Sequence, residues 1–303
     1  MDLLNDILST ILIGSVIQSK IYSGKKKWGI GGKGCERAYF ALIAHGSGSV
    51  QIDTQASYTF NAGDFFFIGP HVNYWIGSEE YNQDRLFRDS INSDSIFENI
   101  HIEGDENKVE ILCGWFKFGL PPQSLFYNVI PQILCLNEFD NSYPQIISAV
   151  NMLQSEANTA LSGAKQIMKR LGEIIIILII RAHFDKSGEQ IHWLNALKDP
   201  KISLAVESIH EDISKKWTVE MMSRTAGMSR ASFAAQFKKL MNEGPLNYLT
   251  KWRMYKAAHL LITTSYTLAD IAEKVGYSSE LSLNKAFKKQ YKISPTVYKN
   301  VLR

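Results

Sequence analysis

Two pairs of adjacent lysines, Lys238-Lys239 and Lys288-Lys289, lie fifty residues apart in the last quarter of the chain. Each pair follows a phenylalanine and precedes a proline at the same spacing. A lysine ammonium group on an exposed helix can bind a DNA phosphate, although it can also be a solvated surface charge. Because the pairs recur within a repeated pattern, we interpret these lysines as candidate phosphate contacts.

The lysine pairs belong to a longer pattern that occurs twice. The first copy begins at Thr218 and contains Gly227, and the second begins at Thr267 and contains Gly276. In each copy a hydroxyl residue can cap a short helix, glycine suits the tight turn that follows, and a serine can cap a second helix. The pattern predicts two helix-turn-helix motifs, whose second helix enters the major groove of DNA.

The outward faces of the two predicted second helices carry different chemistry. In the first copy, alanines can approach thymine methyl groups but cannot hydrogen-bond to guanine. In the second copy, a glutamate can accept a hydrogen bond from cytosine and a lysine can donate one to guanine. The candidate DNA contacts are Arg230, Ala231, Ala234, Ala235, Lys238 and Lys239 in the first copy and Glu280, Leu281, Ser282, Asn284, Lys285, Lys288 and Lys289 in the second.

A segment with apolar residues at helical spacing, residues 245–262, joins the two copies and predicts one connecting helix. Three stretches, Tyr248–Met254, Ile271–Tyr277 and Phe287–Tyr298, closely resemble the AraC/XylS family of bacterial transcription regulators. This resemblance implies a regulator of the AraC/XylS type that binds double-stranded DNA. It also implies base contacts at Ala231, Ala234 and Ala235 in the first copy and at Glu280, Leu281, Asn284 and Lys285 in the second.

The chain departs from the family where each predicted second helix ends. The family usually places glycine at this position, which favours positive φ, whereas this chain has Asn242 and Lys292. Asparagine tolerates the left-handed conformation, but a lysine that adopts it should cost about 1 kcal/mol.

Charge is divided unevenly along the 303 residues. Residues 200–303 contain 17 Lys and Arg against 8 Asp and Glu, a formal charge of +9, whereas residues 1–199 contain 16 against 22, or −6. This division indicates one domain that meets phosphates and another that does not. We place the boundary between residues 195 and 196, and we expect the first helix of the second domain from about Pro200 to Lys216.

Short β-type runs broken by glycine and polar turns occupy residues 39–118, with candidate strands at 39–44, 49–52, 58–60, 65–68 and 108–118. Their order resembles the cupin-like sensor half of one AraC/XylS branch. The predicted fold class is therefore two-domain α+β. Residues 1–195 form a cupin-like β-barrel with a helical dimerisation segment, and residues 196–303 form an all-α domain with two helix-turn-helix motifs.

A cupin barrel can hold a metal or a small molecule. Many cupins bind metal through two histidines close in sequence, but no His-x-His occurs here, so we expect no metal, no cofactor and no catalytic residue. The histidines could simply be turn residues bonded to backbone, and the aromatic residues could be core. The candidate contacts for a small-molecule effector are Trp28, His45, Phe67, His71 and Trp75.

Helical spacing returns over residues 142–183, divided near Ser162-Gly163. The second segment, Ile167–Ile180, is apolar all round, so every face of it needs cover. Either the core of one chain supplies that cover or a second copy does, and the family resemblance implies a homodimer.

The sequence contains few features that indicate the cellular compartment of the protein. Cys35, Cys113 and Cys135 are odd in number and widely spaced, so we interpret them as small buried apolar side chains. The run Ile174–Ile180 is too short to span a bilayer, and the N-terminus lacks the features of a secretory signal. We expect a cytoplasmic protein without membrane contact.

Together these patterns predict a sequence-specific transcription regulator controlled by a small molecule or partner at its N-terminal domain. If it is an activator, RNA polymerase is a further partner. Two alternatives remain open: a metal-dependent cupin enzyme fused to a DNA-binding module, and an architectural DNA-binding protein without an effector.

Overall fold

The computed structural model describes residues 3–23, 28–52, 56–78, 100–102, 109–121, 124, 127, 130–137, 142–159, 161–187, 196 and 198–302. The chain divides into two compact units. The helical unit contains Met1–Ile13, Gly119–Phe126 and Asp185–Arg303, and the β unit contains Gly14–Phe118 and Tyr127–Phe184. The predicted domain boundary at residues 195 and 196 stays a prediction, but the first helix of the chain belongs to the helical unit.

The β unit contains two sheets. Its described strands are β1 (Leu12–Ser23), β2 (Gly29–Gly32), β3 (Arg37–His45), β4 (Gly48–Ile52), β5 (Ala56–Phe60), β6 (Phe65–Ile68), β7 (Tyr74–Gly77), β8 (Ile100–Ile102), β9 (Val109–Phe118) and β10 (Ile133–Leu136). One sheet has the order β10-β6-β3-β9-β1-β8, and the other has the order β2-β7-β4-β5. The five strands predicted from sequence are confirmed as β3, β4, β5, β6 and β9. A closed barrel stays a prediction.

Successive side chains of β3 point to opposite faces of the sheet and so enter two different hydrophobic layers. Ile43 shares one cluster with Val50 and Ile76, so this layer joins the two sheets. Phe40 points to the other side of its sheet, where its ring centroid lies 5.5 Å from that of Phe116. The larger sheet is therefore buried on both faces.

Two helices complete the β unit, α2 (Pro144–Thr159) and α3 (Ala164–Ser187). Helix α3 buries one stripe that includes Ile175 and Ile179. Its other apolar stripe remains uncovered in the single chain, since Ile167, Ile174 and Ile177 are 43%, 47% and 37% exposed. The core of one chain thus covers only part of this helix.

Most of the described helices of the helical unit begin with proline or directly after a capping side chain. The described helices are α1 (Leu3–Ile11), α4 (Pro200–Glu211), α5 (Val219–Thr225), α6 (Arg230–Met241), α7 (Pro245–Thr263), α8 (Leu268–Lys274), α9 (Glu280–Tyr291) and α10 (Pro295–Leu302). The predicted hydroxyl caps are confirmed: Thr218, Ser229, Thr267 and Ser279 each accept a backbone N–H of the helix that follows.

The turns of the helical unit follow the predicted backbone angles. Gly227 and Gly276 have φ of 60° and 78°, in the left-handed region that glycine favours. Asn242 and Lys292, which stand where the family usually has glycine, also adopt positive φ, at 56° and 64°. The lysine therefore carries the strain expected from the sequence.

Helix α4 ends five residues earlier than predicted, at Glu211 rather than near Lys216. The carboxylate of Asp212 accepts hydrogen bonds from the Ser214 hydroxyl at 2.7 Å and from the Lys215 N–H at 3.1 Å. These local bonds replace those of a continued helix.

Helix α1 packs against α4 and α7. Asp6 accepts a hydrogen bond from Nδ1 of His210 at 2.6 Å and pairs with Nζ of Lys256 at 2.5 Å. Nε2 of His210 lies 2.7 Å from the Tyr248 hydroxyl, and its ring centroid lies 4.4 Å from that of Trp252. This cluster, which no sequence pattern predicts, ties α1 to the C-terminal helices α4 and α7.

Candidate nucleic-acid interface

Helices α6 and α9, here named the reading helices, bury equivalent faces. Phe233 and Phe237 on α6 are fully buried, as are Leu283 and Phe287 fifty residues later on α9. Each pair is four residues apart, so one side of each helix is fixed in the core and the opposite side is presented outward.

The predicted DNA contacts lie on these outward sides. The first set forms one face of α6 and the second set forms one face of α9. The two faces occupy positions that are offset by fifty residues in the sequence. Ala234, Ser282 and Asn284 are partly buried, and the exposed members are Arg230, Ala231, Ala235, Lys238, Lys239, Glu280, Leu281, Lys285, Lys288 and Lys289.

Two of the predicted contacts have polar groups that are less available than their positions suggest. The Ser282 hydroxyl donates to the Ser279 carbonyl at 2.7 Å, within the first turn of α9. The Asn284 amide oxygen is buried and has no hydrogen-bond partner among the described residues. Glu280 and Lys285 are therefore the better placed polar side chains on this helix.

The lysines of the reading helices keep their charges available. Within the described part of the chain, Lys238, Lys239, Lys285, Lys288 and Lys289 form no ion pair with a carboxylate. Unpaired exposed ammonium groups can exchange counterions for phosphates, which is the main source of DNA affinity.

Helix α7 connects the two helix pairs as predicted. Trp252 and Met254, near its middle, are both fully buried and point to opposite sides, so both sides of the helix are held in the core. Its 19 residues correspond to about 28 Å, close to the distance of about 34 Å between successive major grooves on one face of DNA.

A narrow apolar cavity of about 30 Å³ lies in the β unit. Burial raises the pKa of the Tyr39 hydroxyl, with a further contribution from its contact with Cys35, and burial also raises the pKa of the Tyr74 hydroxyl. Both are neutral, and none of the described residues that line the space is charged. The lining residues are Ile21, Ile30, Tyr39, Phe40, Ala41, Val50, Phe66, Ile68, Tyr74, Ile76, Ile111, Cys113, Gly114 and Trp115.

The candidate effector contacts from the sequence do not line this cavity. Trp28, Phe67 and Trp75 are buried in the core, while His45 and His71 are exposed. His71 has φ of 63° and donates its backbone N–H to the Cys35 carbonyl at 2.7 Å. The structure does not gather these five residues into one site, and their ligand role stays a prediction.

The cysteines are free thiols that are partly, rather than fully, buried, which corrects the sequence interpretation. Cys35 Sγ lies 3.2 Å from the Tyr39 hydroxyl oxygen, in a polar contact between two partly buried side chains. Burial raises the pKa of the Cys135 thiol to about 12, so it is protonated at neutral pH.

The described residues contain neither a metal centre nor a membrane-spanning helix. Among them, no group of three or more His, Cys, Asp or Glu side chains is arranged to hold a metal ion. No helix among those residues has the length and apolar character needed to cross a membrane.

Comparisons with known proteins match both units. Residues 2–185 match the cupin family and residues 222–300 match a helix-turn-helix domain family. A putative AraC-like transcription regulator of Streptomyces lividans is 26% identical over 99% of this chain and 98% of its own length. The HTH-type transcriptional regulator AlkR of Acinetobacter baylyi is 29% identical over 86% of this chain and 88% of its own.

Among solved structures, the DNA-binding domain of AdpA in complex with a target DNA is 30% identical and covers 35% of this chain and 94% of that domain, with a TM-score of 0.33. The sequence matches cover almost the whole chain, and they join a cupin to a helix-turn-helix domain. The chain therefore belongs to the AraC/XylS family of bacterial transcription regulators, with a cupin N-terminal domain and an AraC-type DNA-binding domain.

Proposed function

We propose that this protein is a sequence-specific regulator that inserts both reading helices into successive major grooves of one DNA duplex. The observation that carries the proposal is the offset of fifty residues between the two exposed faces, each backed by an equivalent pair of buried side chains. Family relatives named as transcription regulators favour this function over an enzyme.

The two reading helices have different tasks in this proposal. Glu280 and Lys285 on α9 contact bases, since glutamate accepts from cytosine and lysine donates to guanine. Ala231, Ala234 and Ala235 on α6 allow close approach to thymine methyl groups. Lys238, Lys239, Lys288 and Lys289 bind phosphates and set the position of the protein on the duplex.

Selection of bound duplexes from a random pool by the full-length chain tests this proposal. We expect two short conserved elements about one helical turn apart, with footprints on one face of the DNA. A selected pool without sequence preference would instead support the architectural alternative. Selected duplexes that share only one conserved element would contradict the proposal that both reading helices enter the major groove.

We also propose that the apolar cavity of the β unit holds the effector. A cavity lined by aliphatic and aromatic side chains, whose side-chain polar groups among the described residues are two neutral tyrosine hydroxyls, a thiol and an indole N–H, suits a small apolar molecule. A charged or sugar-like ligand would lose hydration without gaining enough partners.

Filling the cavity tests this assignment. Ala41 lines the space, so Ala41→Phe should occupy it. Apolar compounds that raise the melting temperature of the wild-type protein should have no such effect on a folded Ala41→Phe variant, and DNA binding without ligand should persist. Equal stabilisation of both proteins would place the effector elsewhere.

A second copy of the chain covers the exposed stripe of α3 in our proposal. Ile167, Ile174 and Ile177 follow spacings of seven and three residues, which suit a helix–helix seam. A homodimer would present two DNA-binding domains in the cytoplasm, and RNA polymerase would be a further partner if the protein activates transcription.

A further inference from the structure

Arg253 lies in the middle of α7, the helix that joins the two helix pairs. Its Nε donates to the Ile213 carbonyl at 3.0 Å, and its Nη2 donates to the Lys215 carbonyl at 2.7 Å. Both carbonyls belong to the loop before α5. One guanidinium group therefore fastens α7 to the entrance of the first helix pair.

The loop that Arg253 holds is folded on itself. The Asp212 carboxylate accepts from the Ser214 hydroxyl and from the Lys215 N–H, and the Trp217 indole N–H donates to the Asp212 carbonyl at 2.8 Å. Trp217 is buried and directly precedes the cap of α5. Because the loop is internally bonded, the position of Arg253 determines where α5 begins.

The same guanidinium group contacts the turn of the second helix pair. Its central carbon lies 5.8 Å from the ring centroid of Tyr277. At the neighbouring Gly276, an added Cβ would lie 2.5 Å from Nη2 of Arg253 and 2.5 Å from the Ser214 carbonyl oxygen. The first loop, Arg253 and the second turn thus meet at one point where only glycine fits.

We propose that Arg253 is a positioning residue that fixes α9 relative to α6 and so makes DNA binding selective for the spacing between two DNA elements. The inference rests on the proposed function, in which both reading helices bind one duplex. Rigidly linked helices accept a single spacing, because one inserted base pair moves the second element by about 3.4 Å and rotates it by about 36°.

Three duplexes test this role with the full-length chain. The first is the duplex selected from the random pool, the second has one element randomised, and the third has one base pair inserted between the elements. Wild-type protein should bind the second and third about 100-fold more weakly than the first, since rigid linkage makes the second contact intramolecular.

Arg253→Met should remove this discrimination. We expect affinity for the selected duplex to fall until the difference among the three duplexes is below about tenfold, while affinity for the single-element duplex stays unchanged. Arg253→Lys should behave in the same way, because one ammonium group cannot bind both carbonyls and also face Tyr277. Because Arg253→Lys keeps the positive charge but loses the guanidinium group, it separates the effect of side-chain geometry from that of charge.

Arg224→Met is the matched control, since Arg224 is exposed and pairs with Glu220 on the same helix. It should discriminate among the duplexes as the wild type does. The inference is overturned if the Arg253 variants keep the wild-type discrimination, or if they weaken binding to all three duplexes by one common factor, as a folding defect would. Wild-type protein that binds the single-element duplex as tightly as the selected one would instead overturn the proposed function.

Discussion

Replacing Asp6 with alanine should release helix α1 from the helical unit. The carboxylate is 11% exposed and binds both His210 and Lys256, whose side chains are 0% and 26% exposed. The variant leaves Nδ1 of His210 buried without a partner, which costs about 1–3 kcal/mol. Loss of the more exposed lysine pair adds about 0.2–1 kcal/mol.

Together these losses amount to about 1.2–4 kcal/mol, or about a 7- to 700-fold increase in the opening of α1. Hydrogen–deuterium exchange of the α1 amides measures that opening directly. Ser9→Ala is the control, because Ser9 is exposed and its hydroxyl bonds to the Asp6 carbonyl within the same helix. Equal exchange rates in the two variants would refute the role assigned to the carboxylate.

The helical unit should also be less stable in mild acid. Burial lowers the pKa of His210 from 6.5, and the hydrogen bond to Asp6 offsets only part of this effect. The unfolded chain therefore binds a proton more readily than the folded chain, so the contribution of this group to the free energy of unfolding is complete above pH 6.5 and falls as the pH drops below it, by at most about 1.4 kcal/mol per pH unit.

The other groups in the cluster do not reverse this direction. Burial alone would raise the pKa of Asp6, but its bonds to His210 and Lys256 lower it below 3.8, so its contribution is lost only below that pH. His259, which contacts Thr10, has its pKa lowered by burial and then by Lys256, and acts in the same direction as His210. Tyr248 stays protonated because burial raises its pKa. A free energy of unfolding that is identical at pH 7 and pH 5 would contradict this reasoning.

Two further predictions follow from the backbone and from the uncovered stripe of α3. Lys292→Gly should stabilise the protein by about 1 kcal/mol, because glycine adopts φ of 64° without the strain of a side chain. Asn242→Gly should change the free energy of unfolding by less. Chemical denaturation measures both variants, and equal effects would refute the strain assigned to Lys292. Ile177→Glu should give a folded monomer by sedimentation, since Ile177 is exposed in the single chain but would bury an unpaired charge between two copies. An unchanged dimer would place the interface elsewhere.

Local signals made the helical unit predictable. Thr218, Thr267, Gly227 and Gly276 occupy positions where cap and turn chemistry acts within a few residues of chain. The outward faces of the reading helices follow from the apolar residues on their inward sides. The predicted end of α4 is wrong because the Asp212 side chain competes for backbone N–H groups, which the apolar spacing of the helix does not reveal.

Long-range contacts and glycine-rich strands could not be predicted. His210 meets Asp6 across 204 residues of sequence, and no local pattern announces that pairing. Strand β2 is Gly29–Gly32, a composition that disfavours strands, and it forms because it pairs with β7. The cavity was missed because inward-facing residues such as Val50 have the same alternation whether they fill a core or line a space. Much of the polar region from Trp75 to Asn107 lies outside the described residues.

The central claim is that α9 reads bases through Glu280 and Lys285 while Lys288 binds a phosphate. Affinities of the wild type, Glu280→Ala, Lys285→Ala and Lys288→Ala for single-base variants of the selected duplex, at two salt concentrations, test it most directly. We predict that Glu280→Ala and Lys285→Ala each relax the preference at one or two base pairs by about 1–3 kcal/mol. Lys288→Ala should weaken binding to every duplex and lower the salt slope by about one unit. If Glu280→Ala and Lys285→Ala instead lower affinity evenly across all the variants, the base contacts assigned to α9 are wrong.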